Sequence, residues 1–249
     1  MPTILITGAA SGIGEAVALK LAAPGASLVL HTGSNEAGLR SVANECRAQG
    51  AEVSIRVGDL GNEDARRELV AVCEQTNSQL DGVVLNAGYP DWRAFETLDV
   101  GGMNQSLEVV TTANFDLLTQ LLPLLKAAER AKVLAVSSFL AHKFKVGTSI
   151  VPASSAAKAA LEATIKSFAA QYAADGICAN VIVPGYIKKN APNHTPPDEA
   201  TLNRILSRIP AGRLGMPAEV AEMAAFLLSQ KANYVTGQLI HVDGGLLLQ

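Results

Sequence analysis

The sequence predicts a doubly wound α/β fold, in which one parallel sheet of about seven strands carries helices on both faces. Seven short apolar runs recur: TILIT (3–7), ASLVLH (26–31), EVSIRV (52–57), GVVLN (82–86), KVLAVS (132–137), CANVIV (178–183) and QLIHV (238–242). Each has the length of a buried strand. Longer segments with helical periodicity lie between them, at residues 14–23, 36–49, 63–79, 107–130, 153–174 and 217–229. Because parallel strands need crossover connections and are apolar where both faces are covered, this alternation indicates a parallel sheet between helical layers.

Composition predicts one globular domain spanning residues 1–249, since α/β domains of roughly 200 to 250 residues are common. The net charge of −3, without a block of like charges, argues against nucleic acid or a membrane surface as partner. The three cysteines, Cys46, Cys73 and Cys178, are widely spaced and fit a reducing cytoplasm. The N-terminus lacks the pattern of a signal peptide, and no apolar run is long enough for a membrane helix. The histidines show no metal-ligand spacing, so no metal site is expected.

A glycine-rich turn, TGAASGIG (7–14), separates the first strand from the first helix. The N-terminus of a helix presents unpaired N–H groups and partial positive charge, and glycine lets a phosphate approach the backbone closely. The turn therefore predicts a diphosphate site. Its spacing differs from GxGxxG, so the prediction depends on its position between strand and helix. A purely structural glycine turn is the alternative.

Further motifs follow the later strands: LNAG (85–88), the pair Ser137–Ser138, and PGYI (184–187). The C-terminal part contains GRLGMPAEVAEMAAFLLS and YVTGQLIHVDGG. Together with TGAASGIG, this ordered set resembles the short-chain dehydrogenase/reductase family, especially its 3-oxoacyl-acyl-carrier-protein-reductase-like branch, over the whole chain. The resemblance implies a Rossmann-like fold and a cytoplasmic oxidoreductase that transfers hydride between a nicotinamide cofactor and a ketone or secondary alcohol.

The resemblance also implies the residues that bind the dinucleotide. The implied phosphate cradle is Gly8, Ser11, Gly12, Ile13 and Gly14, and the implied wall of the remaining site is Asp59, Leu60, Asn86, Ala87, Gly88, Pro184, Gly185 and Ile187. In this family the acid after the third strand accepts from the adenine amino group, which is the role expected of Asp59. As an alternative, Asp59 is the N-cap of the following helix.

The choice between cofactors is expected to lie in HTGSNE (31–36), after the second strand. NAD-specific relatives carry an acid there for the ribose 2′-hydroxyl, whereas Thr32 and Gly33 stand at the informative positions. A 2′-phosphate would meet no repulsion. With no arginine in the turn, it would rely on Thr32, Ser34, Asn35 and backbone N–H groups. NADP is therefore favoured, with NAD as the alternative.

For catalysis, the resemblance implies that Ser138 orients the carbonyl, Lys158 binds the nicotinamide ribose and lowers the pKa of a neighbouring hydroxyl, and Asn114 holds a relay water. The acid/base of the family is a tyrosine four residues before the lysine, on the same helix face. Ser154 stands at that position. The interval from Ser138 to Ser154 is also longer than in the family, which suggests an insertion around residues 142–147.

Serine is a poor substitute for a phenol, because its hydroxyl ionises much less readily and its side chain is shorter. Three interpretations stay open. Ser154 is an engineered replacement; or it is natural, with the proton relayed by a water beside it or supplied by Tyr89, His142 or Tyr186; or the protein binds a dinucleotide without turnover, as a sensor or structural member of the fold.

Two long amphipathic segments, 107–130 and 153–174, resemble the dimerisation helices of the family, so a homotetramer or homodimer is expected. The alternative is that both pack only on the sheet of a monomer. The substrate is expected to contact residues 89–97 and the loop from 184 to about 197, whose shapes the sequence does not specify.

Overall fold

One seven-stranded sheet organises this computed structural model, which describes residues 2–144, 150–188 and 197–248. The strands are β1 (Thr3–Ile6), β2 (Ser27–Thr32), β3 (Glu52–Val57), β4 (Gly82–Leu85), β5 (Lys132–Val136), β6 (Cys178–Pro184) and β7 (Leu239–Val242). They lie in the order β3-β2-β1-β4-β5-β6-β7, and all adjacent pairs are parallel. The predicted fold class is confirmed. The strand order reverses between β1 and β4, where such sheets bind ligands.

Helices cover both faces of the sheet. They are α1 (Gly12–Leu21), α2 (Glu36–Ala48), α3 (Glu63–Thr76), α4 (Val100–Leu107), α5 (Ala113–Ala127), α6 (Pro152–Tyr172), α7 (Glu199–Leu206) and α8 (Pro217–Leu228). Buried side chains of α1, α2 and α8 pack on one face, and those of α3, α5 and α6 pack on the other. The strands β1, β2, β4, β5 and β6 are almost entirely buried between these two layers, which explains their continuous apolar runs. The edge strands β3 and β7 are mostly half-buried.

The structure differs from the predicted helices at three places. The segment 107–130 is not one helix: a π-helical stretch, Glu108–Thr112, precedes α5, which already ends at Ala127. The helix α4 was not predicted, because the two glycines in VGGMNQSL lower helix propensity. A side chain at Gly102 would displace the Arg93 guanidinium, since a Cβ atom would lie 2.0 Å from Arg93 Nη2. The short helix α7 was also missed.

The cysteines, possible membrane helices and possible metal sites can be compared with the sequence for the described residues. Cys46, Cys73 and Cys178 are buried and free. Within the described ranges, no helix combines the length and apolarity needed to cross a membrane, and no cluster of three or more His, Cys, Asp or Glu side chains is arranged to hold a metal ion. The insertion expected around 142–147 and the loop from 184 to 197 lie partly outside the described residues, at 145–149 and 189–196.

Candidate functional site

A cavity of about 770 Å³ opens at the carboxyl ends of the strands, around the β1–β4 switch point. Most of the residues singled out in the sequence meet on its wall: Gly8, Ser11, Gly12, Ile13, Thr32, Ser34, Asp59, Leu60, Asn86, Ala87, Gly88, Ser138, Ser154, Lys158, Pro184, Gly185 and Ile187. The structure therefore joins segments that are far apart in sequence into one site. Gly14 and Asn114 lie behind the wall rather than on it.

The glycine turn forms one end of this cavity. Gly8 and Gly12 have φ angles of 65° and 61°, which a residue with a side chain rarely adopts. A Cβ atom at Gly12 would have no neighbour within 4 Å, so the backbone faces open space where α1 begins. The first N–H groups of a helix lack intrahelical partners and attract anions. The turn thus fits a diphosphate group.

Asn86, at the end of β4, holds this turn in place. Its Nδ2 donates to the carbonyl oxygens of Thr7 and Gly8, at 3.1 and 3.0 Å. The Thr7 hydroxyl in return accepts from the N–H groups of Asn86 and Ala87, both at 3.0 Å. Asn86 and Ala87 are therefore fixed against the glycine turn while they line the cavity.

Asp59 lies on the cavity wall beyond β3. Its Oδ1 accepts from the N–H of Gly61 at 2.9 Å. The alternative, that Asp59 caps the next helix, is wrong, because Asn62 is the N-cap of α3 and accepts from Asp64 N and Ala65 N.

Lys158 brings a cation to the cavity wall near Gly88. Its Nζ donates to the carbonyl oxygen of Val136 at 2.6 Å, and a Cβ atom at Gly88 would lie 3.7 Å from it. The ammonium thus lies between the ends of β4 and β5. Burial lowers the pKa of Lys158 to about 8, although the negative charge of Glu162 acts in the opposite direction. An amine with this pKa exchanges a proton readily near neutral pH.

Ser154 is held by a backbone segment from outside its own helix. Its Oγ accepts from the N–H of Asp91 at 2.7 Å and donates to the carbonyl oxygen of Asp91 at 3.1 Å. Both residues are buried. The peptide groups of Asp91 therefore occupy the space beside the hydroxyl in which the sequence interpretation placed a water. The proton of Ser154 is directed at a carbonyl rather than into the cavity.

The segment that contacts Ser154 is braced by ion pairs. The Arg93 guanidinium makes a bidentate contact with the carboxylate of Asp91, with Nη2 2.6 Å from Oδ2, and this contact lowers the pKa of Asp91. Arg93 also lies 3.6 Å from Asp99, which caps α4 by accepting from Gly102 N. The loop after β4 is thus tied to both α4 and α6.

Comparison with known proteins identifies the group to which this chain belongs. Residues 8–247 match the family model described as enoyl-(acyl carrier protein) reductase. The chain is 33% identical over 244 residues to the oxidoreductase YmfI of Bacillus subtilis, covering 98% of each chain. It is 32% identical to the 3-oxoacyl-(acyl-carrier-protein) reductase FabG of Rickettsia bellii, covering 99% of this chain and 97% of the relative.

The chain belongs to the short-chain dehydrogenase/reductase family. The resemblance inferred from the motifs is thereby confirmed. Among solved structures, a Pseudomonas aeruginosa RhlG/NADP active-site complex superposes with a TM-score of 0.90 at 29% identity, covering 99% of this chain and 96% of that chain. This short-chain dehydrogenase/reductase thus shares its fold with RhlG over nearly the whole length of both chains.

Of two further residues predicted to act in catalysis, Ser138 lies on the cavity wall and Asn114 lies behind it. Ser138 lies on the wall, and its Oγ accepts from Leu140 N at 3.2 Å, capping a short 3₁₀ turn. Asn114 is buried behind the wall, where Nδ2 donates to Val110 O at 2.8 Å. Its Oδ1 is buried without a protein partner. A buried orphan acceptor fits the predicted role of holding a water.

Of the three side chains considered as substitutes for the phenol, Tyr89, Tyr186 and His142, only the two tyrosines line the cavity. Tyr89 and Tyr186 line the cavity, and the Tyr186 ring lies 4.5 Å from that of Phe139. Burial raises the pKa of Tyr186. His142 is turned away from the wall, since its Nε2 bonds Glu162 Oε1 at 2.9 Å.

Some wall residues of this family member were not singled out as site residues in the sequence. Lys188 is the most informative, because it adds a second cation to the described wall, directly after Ile187. Reading PGYI one residue further would have found it. The others are Ala10, His31, Pro90, Val109, Val110, Val136, Phe139, Leu140 and Pro217. These residues reach the cavity through tertiary packing, which no local motif marks.

Gly14 contributes to the site through packing. A Cβ atom there would lie 2.1 Å from Gly8 O and 2.7 Å from Asn86 Nδ2, so Gly14→Ala must displace the turn. We expect a loss of at least about 2 kcal/mol in the free energy of unfolding, together with weaker NADPH binding. Thermal unfolding and fluorescence titration with NADPH measure the two effects.

Gly101→Ala is the matched control for Gly14→Ala. Gly101 lies on the exposed side of α4, where the nearest atom to an added Cβ is Asp99 Oδ1 at 3.7 Å. The change should leave stability unchanged or slightly raised. A Gly14→Ala protein as stable as this control, with unchanged NADPH affinity, would contradict the packing role.

Proposed function

We propose that the protein is an NADP(H)-dependent oxidoreductase that interconverts a ketone and a secondary alcohol. The observation that carries the proposal is the meeting of the glycine turn and the Lys158 ammonium in one cavity. The glycine turn suits a diphosphate, and the Lys158 ammonium suits the reacting end of a dinucleotide. The NADP bound to RhlG supports the same cofactor here.

The residues that line the cavity fit this cofactor. The turn at Gly8 and Gly12 would hold the diphosphate, Asp59 and Leu60 would lie against the adenine, and Lys158 would contact the ribose next to the nicotinamide. When bound, the reduced cofactor supplies a hydride. Pro184, Gly185 and Ile187, after β6, would border the nicotinamide, with Gly185 held by a hydrogen bond from its N–H to Val242 O at 3.0 Å.

Lys158 is the proton donor in this proposal. Ser154 is unsuited to the role because its hydroxyl donates to the carbonyl of Asp91 and accepts from the N–H of the same residue. The ammonium of Lys158 lies on the cavity wall, and its pKa of about 8 leaves it protonated at neutral pH yet able to release the proton. Ser138 would orient the carbonyl oxygen through its hydroxyl.

The fit between Ser154 and Asp91 also supports Ser154 as the natural residue rather than a replacement. Both hydrogen bonds are buried, and the loop that makes them is braced by Arg93. A loop shaped around a tyrosine would leave a cavity next to a serine. The neighbouring walls are largely apolar, with Tyr89, Trp92 and Phe139, and suit the acyl chain of a 3-oxoacyl thioester, the substrate class named for FabG.

We expect NADPH to bind at least about tenfold more tightly than NADH. Thr32 and Ser34 present hydroxyl groups and no carboxylate where the 2′-phosphate would lie, and each hydrogen bond to a charged group is worth about 1.5–3 kcal/mol. Thr32→Asp should reverse the preference by repelling the phosphate, whereas Thr32→Ser should keep it. Fluorescence titration with both cofactors measures this. Equal affinities in the unsubstituted protein would contradict the assignment.

Turnover decides between an oxidoreductase and a dinucleotide-binding protein without activity. The test follows NADPH absorbance with the N-acetylcysteamine thioester of 3-oxobutanoate and a panel of simple ketones. Oxidation of NADPH with any of them supports the proposal. Tight NADPH binding with no oxidation supports the non-catalytic alternative instead.

We also propose that the protein assembles as a homotetramer or homodimer. Exposed apolar side chains support this: Phe115 on α5, Phe226 on α8, Tyr234 before β7 and Leu248 near the C-terminus. They lie on different elements, of which α5 belongs to the segment 107–130 that resembles a dimerisation helix of the family.

A further inference from the structure

A buried carboxylate on α6, that of Glu162, belongs to none of the roles described above. The residue is 6% exposed. Its Oε1 accepts a short hydrogen bond from Ser137 Oγ and a second one, at 2.9 Å, from His142 Nε2. Acidic side chains are almost never this buried unless they are paired. Here the partners are a hydroxyl and an imidazole, both of which can pass on a proton.

Glu162, Ser137 and His142 form a hydrogen-bonded cluster, and its end at Ser137 lies towards the cavity and Lys158. Ser137 is on the cavity wall, directly after Val136, whose carbonyl oxygen accepts from Lys158 Nζ at 2.6 Å. Glu162 follows Lys158 by four residues, so the two side chains share one face of α6. The negative charge of Glu162 therefore acts on Lys158, and the Ser137 hydroxyl belongs to the residue next to the carbonyl group that Lys158 binds.

The outer end reaches towards solvent. The side chain of His142 is 26% exposed, and its ring centroid lies 5.4 Å from that of His241 on β7. The titratable groups near Glu162 include Lys158 on its own helix, His142 after β5 and, behind His142, His241. The hydrogen-bonded path from surface to cavity is thus His142, Glu162, Ser137.

We infer that Glu162 is a positioning residue that returns protons from solvent to Lys158, by way of His142 on the outside and Ser137 on the inside. This inference rests on the proposed function. In each reduction the carbonyl carbon gains the hydride from NADPH, and an N–H bond of Lys158 breaks as its proton goes to the carbonyl oxygen. The His142 imidazolium then gives a proton to the Glu162 carboxylate, the resulting carboxylic acid gives that proton to the Ser137 oxygen, and Ser137 gives its own hydroxyl proton to the neutral amine of Lys158. Water reprotonates His142.

Glu162→Gln tests this path, because the amide keeps the shape of the carboxyl group and an oxygen that accepts hydrogen bonds but cannot carry the proton. We expect NADPH affinity to stay the same and turnover of the 3-oxobutanoyl thioester to fall about 10²-fold. In the protein without cofactor, Lys158 should react several-fold faster with limiting acetic anhydride at pH 7. The reason is that removing the negative charge of Glu162 favours the neutral amine. Peptide mass spectrometry measures this reaction.

Two further variants separate proton supply from a structural role. His142→Ala should lose turnover in dilute buffer and regain it when imidazole is added, which a merely structural role would not produce. Glu74→Gln, on the exposed side of α3, should change nothing. Turnover of Glu162→Gln equal to that of the unsubstituted protein overturns the inference and leaves the oxidoreductase function intact. If the unsubstituted protein binds NADPH but turns over no substrate, the proposed function is wrong, and the inference about Glu162 is wrong with it.

Discussion

Lys158→Gln should lower turnover by about 10²- to 10⁴-fold, the usual loss when a positioned general acid is removed. The amide is close in length but carries no charge and has no proton to release. The cavity wall would also lose the cation that lies between the ends of β4 and β5. NADPH affinity should therefore weaken as well, and titration and initial rates measured on the same sample separate the two effects.

Lys158→Arg distinguishes proton donation from charge. A guanidinium keeps the positive charge but does not give up a proton near neutral pH. We expect this variant to bind NADPH and still to lack turnover. Lys166→Gln, on the exposed face of the same helix, is the matched control and should behave like the unsubstituted protein.

The pH profile provides a second test of Lys158. Because burial lowers its pKa to about 8, the protonated form that donates to a carbonyl is lost as the pH rises through that value. Reduction should therefore slow above about pH 8, and alcohol oxidation, which needs the neutral amine, should become faster there. A reduction rate that is flat from pH 6 to about pH 10 would contradict the assignment of Lys158 as the acid.

The sequence predicted the parts of this molecule that depend on local pattern. The apolar runs became the seven strands, and the turn at 7–14 lies where a diphosphate site was expected, because strand, glycines and helix are adjacent in the chain. Most wall residues were named in advance because the motifs resemble those of the family, and several of them, such as Asp59, Asn86 and Pro184, lie at or after the end of a strand.

The parts that the sequence left open depend on contacts between distant segments. Ser154 bonds Asp91, 63 residues away, and Glu162 bonds Ser137, 25 residues away. Neither pair has a local signal. A serine at the tyrosine position suggested a void filled by water, whereas the loop after β4 fills it with backbone. That outcome depends on the ion pairs of Arg93 with Asp91 and Asp99, which form in the folded structure.

Ser154→Tyr, which would restore the phenol of the family, should not create an active reductase in this protein. The added ring needs the space that the Asp91 peptide groups occupy beside Ser154 Oγ. Overpacking costs about 1–3 kcal/mol, and a buried backbone group left without its partner costs about 1–3 kcal/mol more. We therefore expect the free energy of unfolding to fall by about 3 kcal/mol and the melting temperature by roughly 10 °C.

Ser154→Ala provides the comparison that isolates the hydrogen bonds. It removes both contacts with Asp91 without adding volume, so it should cost about 1–3 kcal/mol and keep NADPH binding. Ser167→Ala, on the exposed side of α6, should change stability little. If Ser154→Tyr is as stable as the unsubstituted protein and turns over the thioester at least about tenfold faster, the phenol finds its place after all. The loop after β4 would then accommodate tyrosine as well as serine at position 154. Lys158 would lose its role as the proton donor.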